Sequence, residues 1–406
     1  GGVTIIPLLT KICKGDCPTE LNIYILFIMY LLNTALTYLL FAYKKSILEA
    51  TQRNDYISMN DTITTGLTNV IQLILLLFWK SIYVYYLYVM TMLAFTIINN
   101  ILNARIVDKK YPQYKCRGKL GEEERKVIKK QVSGLMVSRI CQMTRNSFDS
   151  IFVSAFIGLT MTTIYNNYYY VVNSVVGVMN VITSAMLAGI GNSLASETQE
   201  KNYEDFSIFN FIYVWLAGWA TVTMFCLYQD FMTLWVGKDL TLPLLAAGIF
   251  SIYFYALKIC DIRITYTSAA GLWWENRNRS IIEMITNIIL NYILVQLYGV
   301  YGIVTATIIP LVLINFIFGG QILFKYYFTE FSILGYFKDN IIYAVVTAMV
   351  TLCTWNITKY IPGSGFLHLI IKALACVIIP NILFILLYAR TNNFKMAKKW
   401  IKNKLK

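Results

Sequence analysis

The chain has 406 residues, of which 57% are hydrophobic and only 14% charged, with a mean hydropathy of +0.58. That is too apolar for a water-soluble domain of this length, and the apolar residues come in blocks of about 20, enough for a helix to cross a bilayer. Strand alternation of the outer-membrane barrel kind is absent, and the net charge of +14 does not signal nucleic acid, because the basic residues fall in loops on one side of the spans.

Hydropathy predicts an all-α, polytopic chain with eleven spans: Leu21–Tyr43, Asp61–Trp79, Ser81–Leu102, Ser133–Leu159, Met161–Leu187, Ile208–Tyr228, Thr241–Ile262, Ser280–Leu297, Gly302–Phe324, Asn340–Ile361 and Phe366–Tyr388. Ahead of them, Val3–Leu9 is apolar but too short to span and lacks the basic flank of a signal peptide. It reads as the tail of a helix cut off by a truncated sequence. Cys13 and Cys17 are the one close cysteine pair, compatible with a disulfide on the outer face. Cys141, Cys226, Cys260, Cys353 and Cys376 read as small buried packing residues.

Lys and Arg set the orientation. Alternate loops on one side hold twenty-six of the thirty-five, against five (Lys11, Lys14, Lys80, Lys238, Lys359) on the other. The first side, with the C-terminus, is therefore expected in the cytoplasm. The stretch 103–131 alone holds ten of them, in ARIVDKKYPQYKCRGKLGEEERKVIKK. It reads as a solvated connector with an amphipathic helix from Glu122 onward; binding of anionic lipid headgroups is the functional alternative. It divides a depleted first helical bundle (1–102) from a complete second six-helix bundle (132–324). Two more helices and a basic cytoplasmic tail fill 325–406.

Span Ser133–Leu159, SGLMVSRICQMTRNSFDSIFVSAFIGL, is unusual. Arg139, Gln142, Arg145, Asn146 and Asp149, with Ser138, fall within an arc of roughly 120° at helical period. Each ionisable group at membrane depth costs at least ~2.5–3.5 kcal/mol, so this face should look onto a wet cavity or a buried partner. Arg145 and Asp149, at i,i+4, could simply neutralise each other, or the helix could lie in the interface. Two arginines against one carboxylate favour a cavity that faces an anion.

Met161–Leu187 places Asn166, Tyr169, Asn173, Asn180 and Ser184 on one face within roughly 60°. Asn at seven-residue spacing serves as glue between helices, or lines a polar cavity where tyrosines offer ring faces and hydroxyls to sugars. Between two spans, RITYTSAAGLWWENRNR (263–279) reads as a loop with an interfacial cuff of Trp273, Trp274, Arg277 and Arg279. The next span carries Glu283, Thr286, Asn287 and Asn291 on one broad face. Glu283 is either the partner of Arg279 in a rim salt bridge or a titratable carboxylate in a transport path. Lys258 and Lys372 are close enough to span ends to snorkel. His368, the one histidine, reads as a polar belt residue and excludes a His-based metal or catalytic cluster. The tail KMAKKWIKNKLK is a basic amphipathic end expected to lie on the inner leaflet.

The run NSFDSIFVSAFIGLTMTTIYNNYYYVVNSV and the block TYTSAAGLWWENRNRSIIEMITNIILNYILVQLYGVYGIVTATII together resemble the Wzx-type flippases of bacterial polysaccharide repeat units, within the multidrug, oligosaccharidyl-lipid and polysaccharide exporter superfamily. The resemblance runs from about Leu21 to the end and implies a fourteen-helix fold from which the first three helices are missing. It implies transport, not catalysis. Such flippases move an undecaprenyl-diphosphate-linked oligosaccharide (O-antigen or capsule repeat unit) across the cytoplasmic membrane by alternating access, beside glycan polymerase machinery. Arg139 and Arg145 would then hold the diphosphate and Asn166, Tyr169 and Asn173 the sugar, with Asn146 a further substrate-binding candidate. Asp149 and Glu283 would be the ion-coupling candidates. No Gly-rich nucleotide loop or cofactor motif is present, so an H+ or Na+ gradient, or consumption of the substrate outside, would supply the drive. The rival readings are an ion-coupled drug antiporter, which favours an acid-rich cavity, a teichoic-acid exporter, which differs only in the sugar, and a membrane glycan polymerase, which needs a large outer loop.

Overall fold

The computed structural model describes residues 21–114 and 121–404, and among them every regular element is helical. Val3–Leu9, Cys13, Cys17 and Cys116 lie outside the described residues. The chain divides into two compact units, Gly1–Lys119 and Leu120–Lys406, so the division falls inside the basic stretch 103–131.

Among the described residues the first unit has four helices: α1 (Ile23–Leu39), α2 (Ala42–Ala50), α3 (Asn54–Phe78) and α4 (Val84–Lys110). Asn22 caps α1 by accepting from the backbone N–H groups of Tyr24 and Ile25 at 3.0 and 3.3 Å. α1 and α2 meet at a 50° bend, where Phe41 takes a left-handed conformation. α3 starts at Asn54, before the expected Asp61, with Asp55 in its first turn held by Arg53. Most of its apolar residues look outward, and Phe78 is 83% exposed, although Ile57 is buried. Helix α4 packs on α1, α2 and α3. The buried apolar cluster is small, centred on Leu48, Ile57 and Val107.

The second unit begins with α5 (Glu122–Phe156), one unbroken helix of 35 residues. Three glutamates in its first turn suit the positive end of the helix dipole. Then follow α6 (Leu159–Ser196), α7 (Gln199–Val236), α8 (Leu244–Lys258) and α9 (Asp261–Ala269). The stretch 263–279, expected as a loop, is mostly helix. α9 covers its first half, only 270–272 turn, and α10 (Trp273–Pro310) then begins. At 38 residues α7 is ~57 Å long, well beyond a ~30 Å hydrocarbon core. Packed against this helix are α8, α12 (Ile333–Thr358), α13 (Gly365–Tyr388) and α14 (Asn392–Lys404).

α10 is a hairpin. Asn287 donates to Thr307 at 2.9 Å, whereas a straight helix would hold residues twenty apart at ~30 Å. The reversal is at Gly299, with φ 56° and ψ −132°, a conformation that a side chain would strain. The second arm runs through Pro310 into a π-helical stretch, Leu311–Phe318, and ends as α11 (Gly319–Tyr326).

By length and hydropathy, eight helices among the described residues can cross a membrane, or nine if the bent pair α1–α2 counts as one; the hairpin is scored once in that count. The first arm of α10 shows the inverted polarity this requires. Asn276, Arg279, Ser280, Glu283, Asn287 and Asn291 are buried, while Ile282, Ile285, Ile289 and Ile293 are about half exposed. A polar face turned in and an apolar face turned out suit a lipid surround.

Two expectations are corrected. Lys258 does not snorkel: it is buried, with its ammonium 2.8 Å from both Asn180 and Asp261. Lys372 is held by Asp230 at 2.6 Å, and His368, also buried, lies beside the same carboxylate and not in an exposed belt. The basic tail forms the expected helix, α14, and its Phe394 and Trp400 pack on Trp215 and Phe209 of α7.

Candidate functional site

The second unit encloses a cavity of about 380 Å³, lined from α5, α6, α8, α9, the first arm of α10 and the π stretch. Its chemistry follows from how closely α5 and α10 approach. Gly134 lies against the backbone of Trp273 and Trp274, where an added Cβ would sit 2.6 Å from it. Gln131 of α5 accepts from the N–H of Trp274 at 3.1 Å. The polar faces of both helices are thereby brought together over several turns.

Glu283 is the centre of the charged cluster. Arg145 of α5 donates to one carboxylate oxygen and Arg279, one turn earlier on α10, to the other. Arg279 also donates to Asn276 at 2.7 Å and to Ser280 at 3.0 Å, and Ser280 reaches Ser138 of α5 at 3.1 Å. Asn315 comes from the π stretch, whose wider turn breaks the α-helical register of this arm. Its amide lies 3.4 Å from Glu283. Its carbonyl groups accept from one nitrogen of Arg263, on α9. Arg263 is fully buried, and its Nε and Nη1 have no hydrogen-bond partner among the described residues. Gly319 makes room for it: a Cβ there would lie 2.5 Å from the guanidinium carbon.

Two buried guanidiniums thus share one carboxylate, and a third, Arg263, is linked to it only through Asn315. Lys258 and Asp261 form a separate balanced pair, tightened by the Tyr213 hydroxyl at 2.5 Å from Asp261. Arg139 lines the same cavity from an exposed position and contacts Gln142 at 3.4 Å. Counting the lining, five basic side chains face two acidic ones. Desolvating each ion costs several kcal/mol, which pairing offsets only in part, so the excess positive charge makes the cavity a place for an anion.

One turn past Arg145, Asp149 sits in a different environment. It accepts from Asn291 at 2.7 Å and Thr307 at 3.0 Å, and Asn287 bonds to both of those residues. No base hydrogen-bonds to it among the described residues, and the neighbouring amide oxygen of Asn291 is buried without a partner. Arg145 and Asp149 do not form the i,i+4 pair; each is claimed by another helix.

Of the residues singled out from sequence, Arg139, Arg145 and Glu283 line the cavity, with Asn180 and Ser184 from the α6 face. Asn146, Asn166, Tyr169 and Asn173 are not among its lining residues. Asn146 and Asn173 are exposed, Asn166 is exposed with Ser150 at 3.3 Å, and Tyr169 stacks on Tyr165 at 5.9 Å. The polar face of α6 thus reaches this cavity only in its C-terminal half, at Asn180 and Ser184, while Tyr169 packs on Tyr165 and Tyr253. Arg263 and Asn315 were missed, whereas the pairing of Arg279 with Glu283 offered by the sequence is present, buried in the cluster and not at a rim. Arg263 and Arg279 had been counted as loop charges, although Asn276, Arg279, Glu283 and Asn287 already fall at helical spacing. Asn315 is the single polar residue in LVLINFIF, a signal of its own. Compared with protein-family models and with characterised proteins, the chain finds no match.

Proposed function

We propose that this chain is a multi-pass transporter of the bacterial cytoplasmic membrane that flips a polyprenyl-diphosphate-linked oligosaccharide from the inner to the outer leaflet. The observation that carries the reading is the excess of basic over acidic side chains in a cavity enclosed by long apolar helices. Glu283 lies ~15 Å along the helix from Trp273 and ~24 Å from Gly299, so the cluster is well inside the helix and not at its end. An anionic diphosphate would neutralise the excess through forked guanidinium contacts. The sugar and the lipid tail would extend from it into the cavity and the bilayer respectively. A drug antiporter for cations is disfavoured by the same excess. The Asp149 site, without a bonded base, supports coupling to H+ or Na+.

On this reading α5 also spans, despite its charges, because they face protein. With the bent pair joined and the α10 hairpin taken as two crossings, the spans number eleven and α14 lies in the cytoplasm. The test is complementation. Deleting the gene should abolish surface polysaccharide and accumulate lipid-linked repeat units inside, and the wild-type gene should restore both. Normal surface glycan after deletion, with no accumulated intermediate, would overturn the assignment.

A further inference from the structure

Two adjacent tryptophans begin α10, and the structure uses them differently. Trp274 is capped by cations: the Arg277 guanidinium lies 3.5 Å from the centre of its ring and the Lys130 ammonium 5.7 Å. That suits a residue at the polar edge of a membrane. Trp273 is half-buried and lines the cavity, with no ring contact, cation contact or side-chain hydrogen bond among the described residues. Helical period sets its direction. Trp273, Asn276, Ser280 and Glu283 share an arc of about 80° on α10, and the other three are buried in the cavity wall. A large apolar ring in a wall that is otherwise polar forgoes the packing that stabilises such a side chain elsewhere.

Other walls of the same cavity have hydrogen-bonding capacity to spare. Gln142 of α5 is exposed, and its one side-chain contact is the 3.4 Å approach of Arg139 to its carbonyl oxygen. Asn180 of α6 spends its carbonyl on Lys258 at 2.8 Å and keeps its amide N–H groups. Ser184, one turn on, has no side-chain partner among the described residues. The Ser268 hydroxyl of α9 donates to its own helix at 2.8 Å and can still accept. Amides and hydroxyls that donate and accept, beside one aromatic face, match a sugar, which carries hydroxyls at its rim and C–H groups on its face. An inorganic anion needs donors only, and a lipid chain needs neither.

We infer that Trp273 is the platform on which a sugar ring of the cargo stacks, with Gln142, Asn180, Ser184 and Ser268 serving its hydroxyls. This rests on the reading of the cavity as the seat of a lipid-linked oligosaccharide and names the part of the chain that reads the sugar. The indole face is the negative side of its quadrupole, so it attracts the slightly positive C–H hydrogens of a ring laid flat on it. A sugar with an axial substituent on that side is held away, which makes the platform selective. Trp273 lies ~15 Å along α10 from Glu283. With the diphosphate at the arginines, the stacked ring is therefore one further along the oligosaccharide and not the sugar joined to phosphate. The sugar contacts fall to residues of this cavity and not to Asn166, Tyr169 and Asn173, which are outside its lining.

The probe is the cargo's own oligosaccharide, freed from lipid and diphosphate by mild acid treatment of the intermediates that the deletion strain accumulates. It is titrated into the purified full chain, held in a detergent without a sugar headgroup, and binding is followed by calorimetry. Wild type should bind it. Trp273→Leu keeps apolar bulk and removes the ring face, so binding should weaken by about tenfold or more. Trp273→Tyr keeps a face and should stay within about threefold of wild type. Trp274→Leu, outside the cavity lining, should change binding by less than about twofold. No binding by wild type, wild-type affinity in Trp273→Leu, or equal losses in Trp273→Leu and Trp273→Tyr overturns the inference. If Trp273→Leu fails to fold, tryptophan emission decides: the oligosaccharide should shift it in wild type and not in Trp273→Tyr. A shift absent from wild type, or surviving in Trp273→Tyr, overturns the inference. If the deletion strain accumulates no intermediate, the flippase reading fails and this inference falls with it. If intermediates accumulate and the wild-type gene restores export, but the freed sugar does not bind, only the inference is lost.

Discussion

Both units bury polar side chains between apolar helices, but they do it with different chemistry. In the first unit the groups are amides and hydroxyls. Asn60 donates to Asn103 at 2.8 Å, Asn103 to Asn99 at 3.1 Å, and Asn99 to Asp61 at 2.6 Å. A cavity of about 500 Å³ beside them carries one base, Lys45, and one acid, Asp61. In the second unit the corresponding groups are guanidiniums in excess over carboxylates. An amide offers donors and acceptors together, so a chain of amides closes on itself and leaves little net field. A guanidinium only donates, so a cluster of them asks for something from outside. The first unit therefore reads as packing and the second as recognition.

The largest effect should come from breaking the second unit's charge set. Arg145→Ala removes one of the two holders of Glu283 and leaves a buried carboxylate half paired, which should cost ~3–5 kcal/mol of stability. Export of surface glycan should fall below detection even at equal membrane abundance. Arg145→Lys keeps the charge but loses the planar fork, and should retain part of the export. If Arg145→Ala exports as wild type does, the cluster has no part in recognition, and the two units differ only in how they pack.

What was legible in the sequence follows the same line. Helix period and apolar run length depend on neighbours three or four residues away, so the helices and the polar face of α5 could be read directly. The partner of Arg145 is 138 residues away, and no local pattern distinguishes it from Asp149 at i+4. The charges of 263–279 were misplaced because hydropathy averages a window, and Trp, Asn and Arg together depress it whether they sit in a loop or in a polar core. Gly299 presented no unusual neighbours, yet it turns one apolar run into a hairpin. Exposure on α6 also escaped, since a helical face states which residues align and not which helix covers them.

A smaller effect separates two glycines, one from each unit. Gly319 abuts the guanidinium of Arg263, and Gly319→Ala would force that buried group to move. Overpacking of this kind costs ~1–3 kcal/mol, and export should drop with it. Gly66 lies mid-way along α3 with nothing within 4 Å of an added Cβ. Gly66→Ala should be neutral or stabilise the helix by up to ~1 kcal/mol, with export unchanged. Thermal midpoints in one detergent, read beside the glycan assay, check both. Equal behaviour of the two would mean that the close approach at Arg263 is not a constraint.

The smallest effect should come from the amide chain of the first unit. Truncating Asn60 or Asn103 alone strands a buried partner, at ~1–3 kcal/mol. Replacing both by leucine removes the Asn60 donor and Asn103 acceptor together and strands only the Asn99 oxygen, as Asn103→Leu alone does, so the double variant should be destabilised by less than the two single changes combined. Coupling between such groups in membrane proteins averages ~0.6 kcal/mol and reaches ~1.7, and a double-mutant cycle on Asn60→Leu and Asn103→Leu should fall in that range. Asn99 keeps its bond to Asp61 in every variant, so loss of charge pairing does not enter the cycle. Export should survive the double change at equal abundance, because no net charge has been altered and the apolar replacement suits its surroundings. Loss of export in a double variant that is folded and present in the membrane would show that the amides do more than hold helices together. The first unit would then share in recognition, and the contrast between a neutral packing unit and a charged binding unit would fail.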